Sequence, residues 1–321
     1  VGYRLCVGIL IAAAAPTAFA EPLPTRDQNP FVTAFGVPQA LPSRLPADDE
    51  WHFDAAFNWS NSALSQASAR ENLFADLETR ELRLGVTRTI APQWALRAEL
   101  PVRYIGAGTL DSFIDSWHDF FGLPKGIRPD IAHNQFRLRY VRDGRIELDL
   151  REPSTHIGDA SFALGYRWLA DERNDATLWL TAKAPTGSAD DLSGSGAWDA
   201  GIAISAAQRA SPRWSFYEQA SATWLGNGDT LPAQQRSLAW NALIGAGFTV
   251  GRHVEFKAQF EEQSATYRSN LAFLGDALVF SLGGAIHFNS GWMLDLGVSE
   301  DVQVDASPDV TFVFGFKRAT K

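Results

Sequence analysis

A period of two runs through most of this chain. Over 309–317, Val310, Phe312, Phe314 and Phe316 alternate with Thr311, Val313, Gly315 and Lys317. Trp292, Leu294, Leu296 and Val298 alternate with Met293, Asp295, Gly297 and Ser299, and Val254, Phe256, Ala258 and Phe260 with Glu255, Lys257, Gln259 and Glu261. Neighbouring side chains of an extended strand point to opposite faces, so each such stretch has one greasy face and one small or polar face. The pattern predicts an all-β chain. Soluble sandwiches alternate too, so the solvent on the greasy face must be read from other features.

Three features select lipid. Connections alternate between tight turns (near Pro92, Asp171, Pro212, Gly251 and Gly291) and longer polar loops at 61–77, 105–158, 187–196, 226–235, 266–275 and 303–309. Short turns on one side and long loops on the other are the arrangement of outer-membrane barrels. Tryptophans collect at both ends of the strands: Trp51, Trp94, Trp168, Trp214 and Trp292 by the short turns, Trp59, Trp198, Trp224 and Trp240 by the long loops. Such rings mark the two lipid–water interfaces. Finally, the strands reach the length of about ten residues that a tilted span needs. Twelve spans result, at 50–60, 78–90, 94–104, 156–170, 176–186, 197–209, 213–225, 236–250, 253–265, 276–288, 292–302 and 309–318. The expected fold is a transmembrane antiparallel β-barrel of about 12 strands, closed because lipid cannot satisfy an open sheet edge. Arg88 and Glu218 break the pattern by carrying charge at lipid-facing positions.

Composition excludes the main rivals. The mean hydropathy of −0.14 and the lack of an 18-residue apolar run argue against helical spans. A net charge of −9 argues against a nucleic-acid partner, which needs a basic face. The single cysteine, Cys6, excludes zinc fingers and disulfide scaffolds.

Residues 1–20 read as a secretory signal: Arg4, an apolar core from Val7 to Ala15, and a small-x-small site at Ala18-Phe19-Ala20. Residues 21–49 hold six prolines, which defeat helix and strand alike. This segment is either a periplasmic tail or a plug folded into the lumen on Phe31, Phe35 and Val37. The barrel domain is then 50–321. Twelve strands tilted by about 40° enclose a backbone tube about 24 Å across, narrow enough for a short peptide to block.

The 105–158 connection exceeds what a hairpin needs. Leu110, Phe113, Ile114, Trp117, Phe120 and Phe121 recur at helical spacing, with Thr109 as the expected N-cap and Leu123, Pro124 and Gly126 as terminators. The expectation is a short extracellular amphipathic helix docking over the barrel mouth through Phe113, Ile114, Trp117 and Phe121. Its opposite face carries Asp111, Asp115, His118 and Asp119, read as a solvated acidic face rather than a metal or acid–base site. Asp143-Gly144, between two alternating runs, predicts a hairpin.

Inward parity places both signs of charge in the lumen: Arg83, Arg97, Glu99, Arg103, Asp159, Arg167, Lys183, Asp199, Glu255, Lys257 and Asp295, with Glu81 and Glu261 beside them. They are the pore-lining candidates, either as structural ion pairs or as a selectivity path. The sequence carries no nucleophile elbow, phosphate loop or His-Glu-x-x-His motif, so no catalytic residue, metal or cofactor is expected. Outer-membrane lipid and small solutes are the expected partners.

The stretches 23–30 (LPTRDQNP), 110–124 (LDSFIDSWHDFFGLP) and 192–201 (LSGSGAWDAG) resemble an uncharacterised proteobacterial family of predicted outer-membrane proteins with a domain of unknown function. The resemblance spans nearly the whole chain beyond the signal and implies a barrel in the bacterial outer membrane. It implies no activity and no catalytic residues. The expectation is a narrow channel or transport barrel for small solutes and not an enzyme; a lipid-modifying enzyme and a structural or adhesive barrel are the alternatives.

Overall fold

The computed structural model describes residues 21–46, 51–122 and 126–318, without the side chain of Phe121. The expected signal, the helix terminators Leu123 and Pro124, and the docking role of Phe121 lie outside the described residues. Twelve antiparallel strands form the wall: β1 (Trp51–Ala67), β2 (Glu71–Ala91), β3 (Trp94–Gly106), β7 (Ser161–Ala170), β8 (Asn174–Lys183), β9 (Asp199–Arg209), β10 (Trp214–Leu225), β11 (Leu238–Val250), β12 (Val254–Gln263), β13 (Ala277–His287), β14 (Trp292–Asp301) and β15 (Val310–Arg318). Each pairs with its neighbours in sequence, and β15 returns to β1 with Trp59 opposite Phe312 and Phe57 opposite Phe314. The twelve-strand wall thus closes on itself, as lipid demands.

The alternation decides which row faces which solvent. Phe53, Leu82, Leu96, Phe162, Leu180, Ile202, Phe216, Ile244, Phe256, Leu282, Leu296 and Phe314, one from each wall strand, are exposed on the outside. A soluble monomer rarely leaves so continuous an apolar band bare. Tryptophans 51, 94, 168 and 214 ring one end and 198, 224 and 240 the other. Inside, bulky aromatics are admitted by glycines on the next strand: Trp179 lies over Gly165 and Tyr217 over Gly245, where an added Cβ would stand 2.8 and 2.3 Å from the ring.

The two charged exceptions have different surroundings. Arg88 stacks its guanidinium over Trp51, 4.9 Å from the ring centroid, at the short-turn end where the aromatic girdle sits. Glu218 faces out between Ala206 and Ile244; β10 runs in unbroken register with both neighbours, so a bulge does not explain it.

Three expectations need correction. Residues 61–77 are not a long loop: β1 and β2 continue past the girdle as one hairpin, paired from Trp51–Arg88 to Ala67–Asn72. The signal was hidden because Ser62, Ser65, Gln66, Glu71, Asn72 and Asp76 interrupt the apolar alternation of these strands. The predicted 105–158 hairpin is real, formed by β4 (Arg137–Arg142) and β5 (Arg145–Leu150), with left-handed Asp143 and Gly144 at the turn. It pairs with β2 and so raises the wall. A short β6 (Ser154–Ile157) then pairs with the far end of β3 before β7 takes over, so the expected 156–170 span is broken at 158–160.

The third correction concerns helix α2 (Asp111–Phe121). Thr109 does not cap it; the N-cap is Leu110, which makes no side-chain cap. Glu78 of β2 does the work instead, its carboxylate accepting the amides of Thr109 and Leu110, where an anion complements the helix dipole. Nor does α2 cover the mouth. Leu110 and Ile114 pack with Val310 on Trp59, Val298 and Phe312, all on the outward rows of β1, β14 and β15. The helix lies against the outside of the rim.

If the bare apolar band meets lipid, Leu282→Arg, in the middle of β13, should cost about 2–4 kcal/mol in equilibrium refolding into bilayers. Leu282→Ala should cost far less, because Leu282 is half exposed and fills no core. Equal, near-zero costs for both would mean that water bathes this face.

Candidate functional site

The lumen is occupied. Residues 21–46 enter at the short-turn end, where Glu21 pairs with Lys317 at 2.7 Å. They rise to a single turn of helix, α1 (Pro30–Thr33), and descend again to Pro46, whose carbonyl accepts from Thr89 at 2.7 Å. Helix α1 starts where it does because Asn29 caps the amide of Phe31 and Pro30 occupies the first position. Most of these residues are buried, Leu23, Phe31, Phe35 and Leu45 among them.

A proline-rich segment has more carbonyls than amides to pair them with. The wall supplies the missing donors. Arg83 donates to Pro24 O (2.6 Å), Arg103 to Thr33 O (3.1 Å), Lys183 to Ala34 O (3.2 Å), Asn241 to Pro38 O (3.1 Å), Trp179 to Pro42 O (3.1 Å) and Thr177 to Ser43 O (2.7 Å). Wall carboxylates and amides take the segment's donors in turn: Gly36 N reaches Asp199 (2.7 Å), Leu41 N reaches Gln219 (2.7 Å) and Leu23 N reaches Gln259 (2.9 Å).

The pore-lining candidates fall into four ionic groups. Glu81 sits between Arg103 (2.6 Å), Arg26 (3.1 Å) and Arg83 (3.5 Å). Lys183 is held by Asp159 (2.6 Å) and Asp199 (3.2 Å). Lys257 bonds Asp295 (2.7 Å) and approaches Glu255 (3.9 Å), with Lys317 on the other oxygen of Asp295 (3.5 Å). Arg97 joins Asp54 (2.6 Å) to Glu99 (3.1 Å). Arg167 is partly buried and donates to the carbonyls of Leu45 and Pro46. Glu261 accepts from Thr25 at 3.0 Å. Every one of these side chains points inward, yet they pair with each other and with the segment rather than with open water.

Sequence reading missed Arg26, Asp54 and Lys317. Asp54 and Lys317 share the inward parity of Ala56 and Gly315, so the same rule could have found them. Arg26 carries no periodic signal at all, because it lies in the proline-rich segment.

Above the segment lies an apolar roof. Phe31 and Phe35 pack edge-on against Tyr267 at 6.1 and 5.5 Å, and Phe31 meets Phe273 at 6.4 Å. Leu192, Leu231 and Leu271 from three long loops complete the cluster. Glu71, above the membrane on β2, clamps this roof by accepting from Tyr140 (2.6 Å), Ser269 (3.0 Å) and Asn270 N (3.0 Å). Burial raises its carboxyl pKa, but those hydrogen bonds outweigh it and hold the group below the usual glutamate range. Between segment and wall, the pocket bounded by Gln39, Arg97, Glu99 and Thr181 holds about 50 Å³, and that bounded by Pro24, Asp54 and Lys317 about 60 Å³. These admit a water or two.

The acidic face of α2 is not uniformly solvated. Asp111 is buried and bonds Asn61 (3.0 Å), Arg128 (3.2 Å) and Asn134 N (2.6 Å); Arg128 in turn pairs with Asp309. His118 is buried as well. Asp115 bonds His133 at 3.0 Å, and His133 lies 3.4 Å from Ser112 Oγ. Among the described residues, no group of three or more His, Cys, Asp or Glu side chains is placed to hold a metal ion. Of the docking candidates, Ile114 is buried, Trp117 donates to Glu300 at 3.0 Å, and Phe113 lies against Phe312 while remaining half exposed.

Removing the carboxylate at the centre of the largest ionic group should be severe. Glu81→Ala leaves Arg103 and Arg83 buried without their counter-charge, a loss of about 3–5 kcal/mol in refolding. Arg80→Ala, outside the lumen, about a third exposed and stacked on Trp59 and Tyr104, should cost about 1–2 kcal/mol. Similar costs for both would remove the ionic group as an organising feature.

Comparison with known proteins agrees with the barrel. An outer membrane channel from Pseudomonas putida F1 superposes with a TM-score of 0.55 at 13% identity, covering 87% of this chain and 96% of the other. The NanC porin (TM-score 0.45, 9% identity, 84% and 99% covered) and a toluene transporter of Ralstonia pickettii (0.44, 8%, 87% and 92%) also match. At these identities the likeness concerns the fold alone. No curated protein matches in sequence. The family model described as "Protein of unknown function (DUF3187)" matches residues 3–319, and the chain belongs to that family.

Proposed function

We propose that this protein is an outer-membrane transport barrel for small solutes, gated from within by residues 21–46. The observation that carries the reading is how that segment is held. Its backbone carbonyls bond to charged and polar wall side chains, while its apolar contacts are split between the roof and a smaller cluster in which Leu41 and Leu45 meet Ala95, Ala163, Trp179 and Ala203. Bonds of this kind exchange for water or a polar solute at a net cost of about 1 kcal/mol each, whereas a packed apolar core does not. Both ends of the segment lie at the short-turn end, so it can withdraw without threading the barrel. A lumen lined by paired charges of both signs suits small polar or zwitterionic solutes. Helix α2, outside the wall, is not part of this gate.

One observation favours a second reading. Ser112, His133 and Asp115 stand in the order nucleophile, base and orienting carboxylate, at the membrane rim where an enzyme acting on lipid esters would need them. No local motif records this pair, because Ser112 and His133 are brought together only by the fold of the long loop. The Ser–His separation of 3.4 Å is long for an engaged hydrogen bond, although such bonds tighten when substrate binds.

Planar-bilayer recording separates the two. The gated barrel should give brief openings in the unmodified chain, and Phe31→Asp with Phe35→Asp, which spoils the roof contacts, should raise the open probability at least several-fold. A fluorophosphonate probe should leave Ser112 unlabelled. Silent bilayers for both proteins would contradict the gate; labelling lost in Ser112→Ala would promote the esterase.

A further inference from the structure

We infer that helix α2 is an outer-leaflet anchor, with Phe113 and Phe120 seated in lipid acyl chains beside the wall. The inference rests on the outer-membrane reading and adds to it an element that the twelve spans do not include.

The orientation of the helix is fixed by its inner face. Leu110 and Ile114 are buried against Trp59, Val298 and Phe312. Asp111 is tied down by Asn61 and Arg128, and Arg128 by Asp309. Glu78 holds the start of the helix, and Trp59 Nε1 donates to the same carboxylate at 2.6 Å. All these partners belong to the outside of β1, β2, β14 and β15 or to the connections just above them, so the free face of α2 looks away from the barrel axis.

The outward face is aromatic, although Trp117 also donates to Glu300 of the wall. Phe113, Trp117 and Phe120 form a ridge at spacings of four and three residues, neighbours on one helix side. Phe120 is 81% exposed and Phe113 48%. The first two rings stack at 6.1 Å, and Phe113 continues onto Phe312 at 5.6 Å. The helix therefore reverses the usual economy of a surface helix, which hides its apolar face: here two of its polar residues are buried while aromatic rings stay outside.

Height and continuity identify the occupant. Phe312 is the third residue of β15 and pairs with Trp59, at the same end of the wall as exposed Trp198, Trp224 and Trp240. The ridge thus joins the aromatic girdle sideways, where rings sit between headgroups and acyl chains. Ser112 and Ser116, on the far side of the ridge, are exposed and polar, as the water side of an interfacial helix should be. Lipid, rather than a second protein, is the occupant because the same uninterrupted apolar surface runs down onto Phe314 and Leu296, both exposed on the wall.

The chain has one cysteine, Cys6, so site-directed nitroxides are placed in a Cys6→Ser background. Phe120→Cys, Ser116→Cys and Leu282→Cys are reconstituted in vesicles of phosphatidylethanolamine and phosphatidylglycerol. Collision with oxygen, which enriches in acyl chains, is compared with collision with a water-soluble nickel chelate. Phe120 is 81% exposed, so its replacement opens no cavity in the core. The oxygen-to-nickel ratio at 120 should exceed that at 116 several-fold and approach that at 282. A ratio at 120 equal to that at 116, with 282 still lipid-like, overturns the anchor and leaves the barrel standing. Dipolar broadening at 120 overturns it in favour of a second copy. A water-like ratio at 282 overturns the outer-membrane reading itself, and the anchor with it.

Discussion

The carbonyls of a proline-rich segment and the inward charges of the wall need each other. Buried Arg103, Arg83 and Lys183 would each be costly in a lumen without partners, and Pro24, Thr33, Ala34, Pro38 and Pro42 would leave bare acceptors in a dry interior. Bringing segment and wall together satisfies both at once. A twelve-strand tube is narrow enough that one strand pair of extended chain fills it, so the same contacts that satisfy polar groups also close the lumen. Closure is then a consequence of satisfying charge, and opening must offer those charges something else, namely water or solute.

Most of the wall was legible because lipid enforces one rule on every residue that faces it. Val310, Phe312, Phe314 and Phe316 could only be an outward row, and strands of this length could only cross. All twelve expected spans fall on wall strands, with the β6–β7 break and the β1–β2 extension as the exceptions. Those two exceptions lie where the rule lapses: above the girdle both faces of β1 and β2 meet water or covering loops, and the alternation of Leu73, Ala75 and Leu77 with Asn72, Phe74 and Asp76 is too mixed to be read. Inward charges were legible by parity, but their partners were not, since Glu81 meets Arg26 across 55 residues of chain and no local spacing records it.

Helix α2 shows the opposite lesson. Its existence followed from periodicity, and Ile114 docks as that periodicity suggests, but Phe113 stays half exposed while Asp111 is buried. The usual inference assigns an apolar stripe to the protein and an acidic stripe to water. At a membrane rim the outer solvent is lipid, so an aromatic ridge can face outward while Asp111 is buried on Arg128. The cap was equally illegible: Thr109 has the right residue type and place, but Glu78, reaching across from β2, supplies a full charge where the hydroxyl would supply only a dipole. Glu218 stays outside this scheme; nothing in its surroundings explains a carboxylate at that place on the wall.

The central claim, that residues 21–46 close the lumen and release it by moving, is tested most directly by tethering them. A Cβ at Gly36 would stand 3.1 Å from that of Asp199 and 2.8 Å from that of Lys183, so the segment must move outward by a few tenths of an ångström to reach disulfide spacing. In a Cys6→Ser background, Gly36→Cys with Asp199→Cys, recorded in one bilayer before and after reduction, compares locked and free segments in a single protein. Openings absent in the oxidised state and restored by reductant are the expected result. The same conductance in both states would contradict the account.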